Sequence, residues 1–201
     1  MAEDSVTIVS GLPRSGTSLM MQMLMAGGMS LFTDGLRAPD HHNPRGYFEL
    51  EAVKHSRIDS RWLAQAGGRA VKVIHLLLPQ LPPDRQYRVV FMLRDLIEVI
   101  ASQRTMLKQQ GRTGAALADE KLAGVFQKQI AEVRQWLNNQ PNFRVLYVNY
   151  HDVLRNPLAS AEQIAPFLAQ GLKPAAMAAV VDPGLYRQRR PEPAHNSPPE
   201  F

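Results

Sequence analysis

The chain has 201 residues, a formal net charge of +5, 45% hydrophobic and 7% aromatic residues. That length holds one domain with a full core and scarcely two, and the absence of cysteine excludes disulfides, thiolate catalysis and zinc–cysteine sites. No apolar run is long enough to span a bilayer, and the polar, acidic first five residues are unlike a secretory signal, so a cytoplasmic location is expected. The positive charge suits an anionic partner. No basic helix interleaved with aromatics is present, so nucleic acid is not expected among the partners.

An apolar run at 6–9 leads into Gly11-Leu12-Pro13-Arg14-Ser15-Gly16-Thr17-Ser18, and Leu19, Met20, Met23 and Leu24 follow at helical spacing. This order predicts a strand, a glycine loop and a helix over 17–26, stopped by Gly27-Gly28. Such a loop turns its backbone N–H groups and the positive end of the new helix toward an anion. Gly11 and Gly16 have the spacing of a nucleotide triphosphatase's phosphate loop. Thr17, however, stands where that loop carries lysine, and the one cation here is Arg14.

Taken in register, Pro13, Arg14, Ser15, Gly16, Thr17 and Ser18 resemble the phosphosulfate loop of the sulfotransferases that use 3′-phosphoadenosine-5′-phosphosulfate (PAPS). The resemblance implies an α/β protein, a single three-layer domain with a central parallel sheet of about five strands, in the P-loop NTPase-like sulfotransferase fold. It implies PAPS as co-substrate and a small-molecule or glycan acceptor offering a hydroxyl or amine. A magnesium-dependent small-molecule kinase and an inactive nucleotide-binding module are the alternatives. The missing lysine at position 17 favours a metal-free mechanism over the kinase.

Further along, 29–32 reads as a short second strand. Five of the nine methionines lie between Met20 and Met29 and read as core filling. Residues 33–48 are polar and aperiodic, a long loop expected to shape the acceptor pocket. Its His41-His42 pair lacks the spacing of helical metal ligands and reads as solvated. A helix is predicted over 49–66, with Val53, Ile58, Trp62 and Leu63 as its apolar contacts, then a strand over 70–74. Lys72 lies inside that strand, where a lysine is uncommon unless its ammonium is paired or working. The resembled family carries a Lys-x-His unit here. In Lys72-Val73-Ile74-His75 the unit is one residue longer, which puts His75 on the opposite face if the strand continues.

Residues 79–86 form a connection, and 88–93 the clearest strand, ending on Arg94-Asp95 with a helix at once behind it. In the resembled family an arginine at this strand end and a serine eight positions on bind the 3′-phosphate; Arg94 and Ser102 have that separation. After a connection at 109–118, a helix over 119–139 carries the stripe Leu122, Val125, Phe126, Ile130, Val133 and Leu137. A fifth strand over 144–148 leads to Tyr150, which by the resemblance lies against the adenine, with His151 replacing an acid. A helix from Asn156-Pro157 should bend or end at Pro166, and 174–181 forms a last short helix. The domain is expected to cover 1–186. A basic, proline-rich tail at 187–201 reads as disordered, with Arg187 substituting for the family's late Arg-Lys-Gly segment.

In-line sulfuryl transfer needs donors around the moving group, a cation on the leaving phosphate and a base for the acceptor proton. Gly16, Thr17 and Ser18 are the candidate donors, Arg14 and Lys72 the candidate cations. The candidate bases are, in order, Asp34, His75 and Glu49.

Overall fold

The computed structural model describes residues 5–40, 43–114 and 117–186. Val6–Gly11 forms β1, buried along its whole length, as an apolar run is when it becomes the middle strand of a parallel sheet. The other strands are β2 (Ser30–Leu31), β3 (Arg69–Lys72), β4 (Tyr87–Leu93) and β5 (Phe143–Asn149), in the spatial order β2-β3-β1-β4-β5. Every pairing is parallel. Strand alternation then divides the core into two. Val9 faces a layer with α1 (Thr17–Ala26), α5 (Pro157–Leu168) and α6 (Pro174–Ala179), packed by Met20, Met21, Met23, Ile164 and Met177. Ile8 faces the opposite layer, where Trp62, Leu63, Phe91, and Val133 and Leu137 of α3 (Asp119–Asn138) pack together. Of the five methionines read as core filling, Met20, Met21, Met23 and Met29 are buried, while Met25 is 50% exposed.

Gly11, Lys72, Leu93 and Asn149 are the last residues of their strands. The residues that follow therefore share one edge of the sheet, the edge at which parallel α/β sheets bind ligands. Two further helices leave from it, α2 (Leu96–Gln109) and α4 (Tyr150–Arg155). Among the described residues no helix is long and apolar enough to cross a membrane.

Three expectations are corrected. The helix predicted over 49–66 is instead two single 3₁₀ turns, Glu51–His55 and Arg61–Gln65. Asp59 breaks it by accepting from the Arg61 N–H at 3.0 Å, a local bond that competes with the helical ladder. Buried Ser56 ties the turns together, donating to the Val53 carbonyl at 2.7 Å and accepting from Trp62 Nε1 at 3.1 Å. Ile58, expected in the core, is 89% exposed. On α3 only Val133 and Leu137 of the predicted stripe are buried, and Val125 is 43% exposed. A 20-residue helix is about 30 Å long and outruns the seven-residue strands beneath it. Finally, of the bend or end expected at Pro166, the end does not occur: α5 runs through Pro166 to Leu168 and is capped by Ala169 in a left-handed conformation with φ 53°.

Candidate active site

A cleft of about 340 Å³ opens at the carboxyl edge of the sheet, a volume in the range of small-molecule sites. Its floor is the turn from Gly11 to Gly16, and the backbone there explains both glycines. Gly11 has φ 143° and Gly16 φ 102°, values that favour glycine. A Cβ on Gly16 would stand 2.4 Å from the Tyr150 ring, and one on Gly11 2.6 Å from the Met92 carbonyl oxygen. Gly16→Ala is accordingly expected to cost about 1–3 kcal/mol of stability and to push Tyr150 out of the cleft, read as a lowered Tm together with weakened nucleotide binding. Between the glycines, Arg14 also has a positive φ, 77°, a strained position for a residue with a side chain. Gly16 then starts α1 with no side chain capping it, so the first helical amides are left for a ligand.

One polar cluster surrounds Arg94. Its Nη1 donates to the Arg14 carbonyl at 3.2 Å and its Nε to Glu98 Oε2 at 3.0 Å. Arg94 and Glu98 are 8% and 4% exposed, one turn apart on the strand end and α2. The Arg94 guanidinium lies 4.5 Å from the Tyr150 ring centroid. Arg14 extends along the same wall, and its Nε donates to Ser102 Oγ at 2.9 Å. Tyr186 donates its hydroxyl to Glu98 Oε1, and burial together with that bond pushes its phenol up to about 12. His151 Nε2 lies 3.0 Å from Glu98 Oε2. The Pro13 carbonyl is tied to α2 by Gln103 Nε2 at 2.9 Å.

A second cluster surrounds Ser18. Lys72 Nζ donates to Ser18 Oγ at 3.0 Å and to the Tyr47 carbonyl at 2.8 Å, and Asn43 Nδ2 donates to the same Ser18 oxygen at 2.8 Å. Burial lowers the Lys72 ammonium to about 8, helped by Arg37 and Arg14 and opposed by Glu49. Glu49 lines the cleft and takes Arg37 Nη1 at 2.8 Å. Apolar Leu50, Val53, Ile74, Leu77 and Met106 also line the cleft, beside polar Gln22, Lys54, Thr105 and Asp182.

The structure thus brings Pro13, Arg14, Gly16, Thr17, Ser18, Glu49, Lys72, Arg94, Ser102 and Tyr150 to one cleft. Ser15 is buried beneath the loop, its hydroxyl without a partner. Asp34 lies outside the cleft. Its carboxylate accepts from the Glu51 and Leu36 amides at 2.6 and 3.0 Å, bonds that hold it below the usual carboxylate range. His75 is also outside. The strand stops at Lys72, and His75 opens the turn His75–Gln80, 2% exposed, with Nε2 3.3 Å from Gln129 Oε1 of α3. Burial lowers its pKa. Arg187, His41 and His42 lie outside the described residues. Arg37, Asn43, Tyr47, Glu98 and Tyr186 were missed by the sequence reading. Glu98 alone carried a signal, its i, i+4 spacing from Arg94.

A glycine loop after the first strand, with Lys72 at the end of β3 and Arg94 just beyond β4, places two cations at the carboxyl edge of a parallel sheet. The family model of the sulfotransferase domain matches residues 4–198, and the chain belongs to that family. Among solved structures, mouse sulfotransferase SULT7A1 complexed with PAP is 15% identical, with 88% of this chain and 62% of that one covered and a TM-score of 0.58. The sulfotransferase domain from the curacin biosynthetic pathway is 18% identical, with 86% and 76% covered and a TM-score of 0.52. Retinol dehydratase in complex with androsterone and inactive cofactor PAP is 18% identical, with 86% and 62% covered and a TM-score of 0.50. At these identities the likeness is one of fold. The chain spans 62% of the length of the mouse enzyme and of the retinol dehydratase. A search of curated protein sequences gave no match.

Proposed function

We propose that the chain transfers a sulfuryl group from PAPS to a hydroxyl or amine of a small-molecule acceptor. The observation that carries this reading is that two cationic clusters, Arg14–Arg94–Ser102 and Lys72–Ser18, open into the same cleft. A nucleotide with a phosphate on one side of its ribose and a phosphosulfate on the other fits that donor set. PAPS supplies the activated sulfuryl group and a phosphate able to leave. Arg94, Arg14 and Ser102 would hold the 3′-phosphate, with the arginine forks giving bidentate contacts, and Tyr150 would face the base. The uncapped start of α1, Thr17, Ser18 and Lys72 would take the phosphosulfate. Two of the three Lys72 ammonium protons are engaged, which leaves one for charge developing on the leaving oxygen.

Glu49 is the base this reading favours, since of the three candidates it alone lines the cleft. Asp95 stands where a phosphate-loop kinase has its magnesium ligand, but its Oδ1 accepts from the Ile97 and Glu98 amides at 2.9 and 3.1 Å and caps α2. Besides the groups assigned to the anions, the lining includes apolar Leu50, Val53, Ile74, Leu77 and Met106 and polar Gln22, Arg37, Lys54, Thr105 and Asp182. The apolar members support an acceptor whose hydroxyl or amine is carried on an apolar body, and the polar ones leave room for further hydroxyls.

The test is transfer of labelled sulfate from PAPS across a panel of apolar alcohols, phenols and sugars, with a chelator present. Because burial favours the neutral amine, Lys72 loses its proton near pH 8 rather than near 10.5. The kcat/KM for PAPS is therefore expected to be full below that pH and to fall as pH rises through it. Magnesium-dependent ATP binding with no sulfate transfer would instead identify a kinase.

A further inference from the structure

We propose that Asn43 is a positioning residue of the donor site, fixing the Ser18 hydroxyl so that its proton points at the sulfuryl group of bound PAPS. This rests on the function proposed above. A serine hydroxyl has two acceptor lone pairs and one proton. Ser18 Oγ accepts from Lys72 Nζ at 3.0 Å and from Asn43 Nδ2 at 2.8 Å. Both lone pairs are spent, so the proton is left to donate. Ser18 lines the cleft and is the second residue of α1, where the helix end already favours an anion. With Lys72 as the only donor, one lone pair stays open and the hydroxyl can rotate its proton away from the cleft.

Asn43 is itself held in place. Its backbone N–H donates to the Asp40 carbonyl at 3.1 Å and to Asp40 Oδ1 at 3.0 Å. The other oxygen of that carboxylate takes the Tyr47 hydroxyl at 2.7 Å. Tyr47 in turn offers its own carbonyl to Lys72 at 2.8 Å. Asn43 and Tyr47 thus join this segment to the phosphate loop twice, once at Ser18 and once through Lys72. The segment expected to shape the acceptor pocket thereby contributes to the donor site as well.

The inference is tested by titrating PAPS and adenosine 3′,5′-bisphosphate side by side in calorimetry, without acceptor. The bisphosphate lacks the sulfuryl group, so a residue acting at that group alters the ratio of the two affinities, which a general loosening of the loop does not. Asn43→Ala is expected to weaken PAPS about tenfold and the bisphosphate less than about twofold. Asn43→Asp keeps the shape but loses the donor and adds a negative charge, and should weaken PAPS further than Asn43→Ala does. In a Ser18→Ala background, Asn43→Ala should change the ratio no further, because it acts through that hydroxyl. If the wild-type protein binds both nucleotides and Asn43→Ala keeps the wild-type ratio, or if its effect persists undiminished without the Ser18 hydroxyl, this inference is overturned and the function stands. A wild-type protein that binds neither overturns the function, and this inference with it.

Discussion

Replacing Arg94 by alanine is expected to weaken adenosine 3′,5′-bisphosphate binding by about 2–3 kcal/mol, roughly a hundredfold. The guanidinium is 8% exposed and held at the cleft by the Arg14 carbonyl and by Glu98, so the site does not have to order it when the phosphate arrives. The same change carries a second cost. Glu98 is 4% exposed, and removing one partner of a buried ion pair typically costs about 3–5 kcal/mol of stability. The two effects can be separated. An Arg94→Met, Glu98→Leu double variant removes the carboxylate that has lost its guanidinium and should regain part of the lost Tm, the remainder being the bonds Tyr186 and His151 made to Glu98, while its nucleotide affinity stays low. Wild-type affinity in that double variant would remove Arg94 from the 3′-phosphate site.

The phosphate loop was the most legible part of this chain because its chemistry is local. Strand, glycines and helix are contiguous, and Gly11 and Gly16 occupy backbone conformations that glycine adopts without strain. Arg94 and Ser102 were legible for the same reason, two turns apart on one helix and its preceding strand end. The placement of Arg14 was only half legible. Sequence register assigned it to the transferring group, but its side chain turns to Ser102, and Lys72 is the cation beside Ser18. Nothing in the local sequence records the direction an arginine takes from a turn with φ 77°. The place of His75 turned on whether the strand ran on, and it stops three residues earlier. Asn43 and Tyr47 were invisible, since their contacts depend on the path of an aperiodic loop. That loop closes on itself, with Thr33 Oγ1 donating to the Glu49 carbonyl at 2.8 Å, and reaches across to α6's far end through Arg45 and the Val180 carbonyl. Such non-local bonds leave no periodic signature.

Glu49→Gln is expected to reduce sulfuryl transfer by about 10²–10⁴-fold while leaving bisphosphate affinity within about twofold of wild type. A general base has to reach the acceptor proton, and position decides among the three candidates before basicity does. Asp34 spends its carboxylate on the Glu51 and Leu36 amides at the base of the loop, and those bonds make it a weaker base. His75 is buried against Gln129 of α3 and does not line the cleft. Glu49 lines the same cleft as Lys72 and is oriented by Arg37 at 2.8 Å, a bond that glutamine's carbonyl oxygen can still accept. The substitution removes the proton acceptor and keeps the bond to Arg37, but it also removes a negative charge that supports the Lys72 ammonium, so rates are compared well below pH 8 with nucleotide binding as the control. Asp34→Asn is the companion variant, expected to lower Tm through the loosened loop base and to leave kcat close to wild type. The reverse result, with kcat lost in Asp34→Asn and kept in Glu49→Gln, would mean that the loop rearranges on binding and carries Asp34 into the cleft.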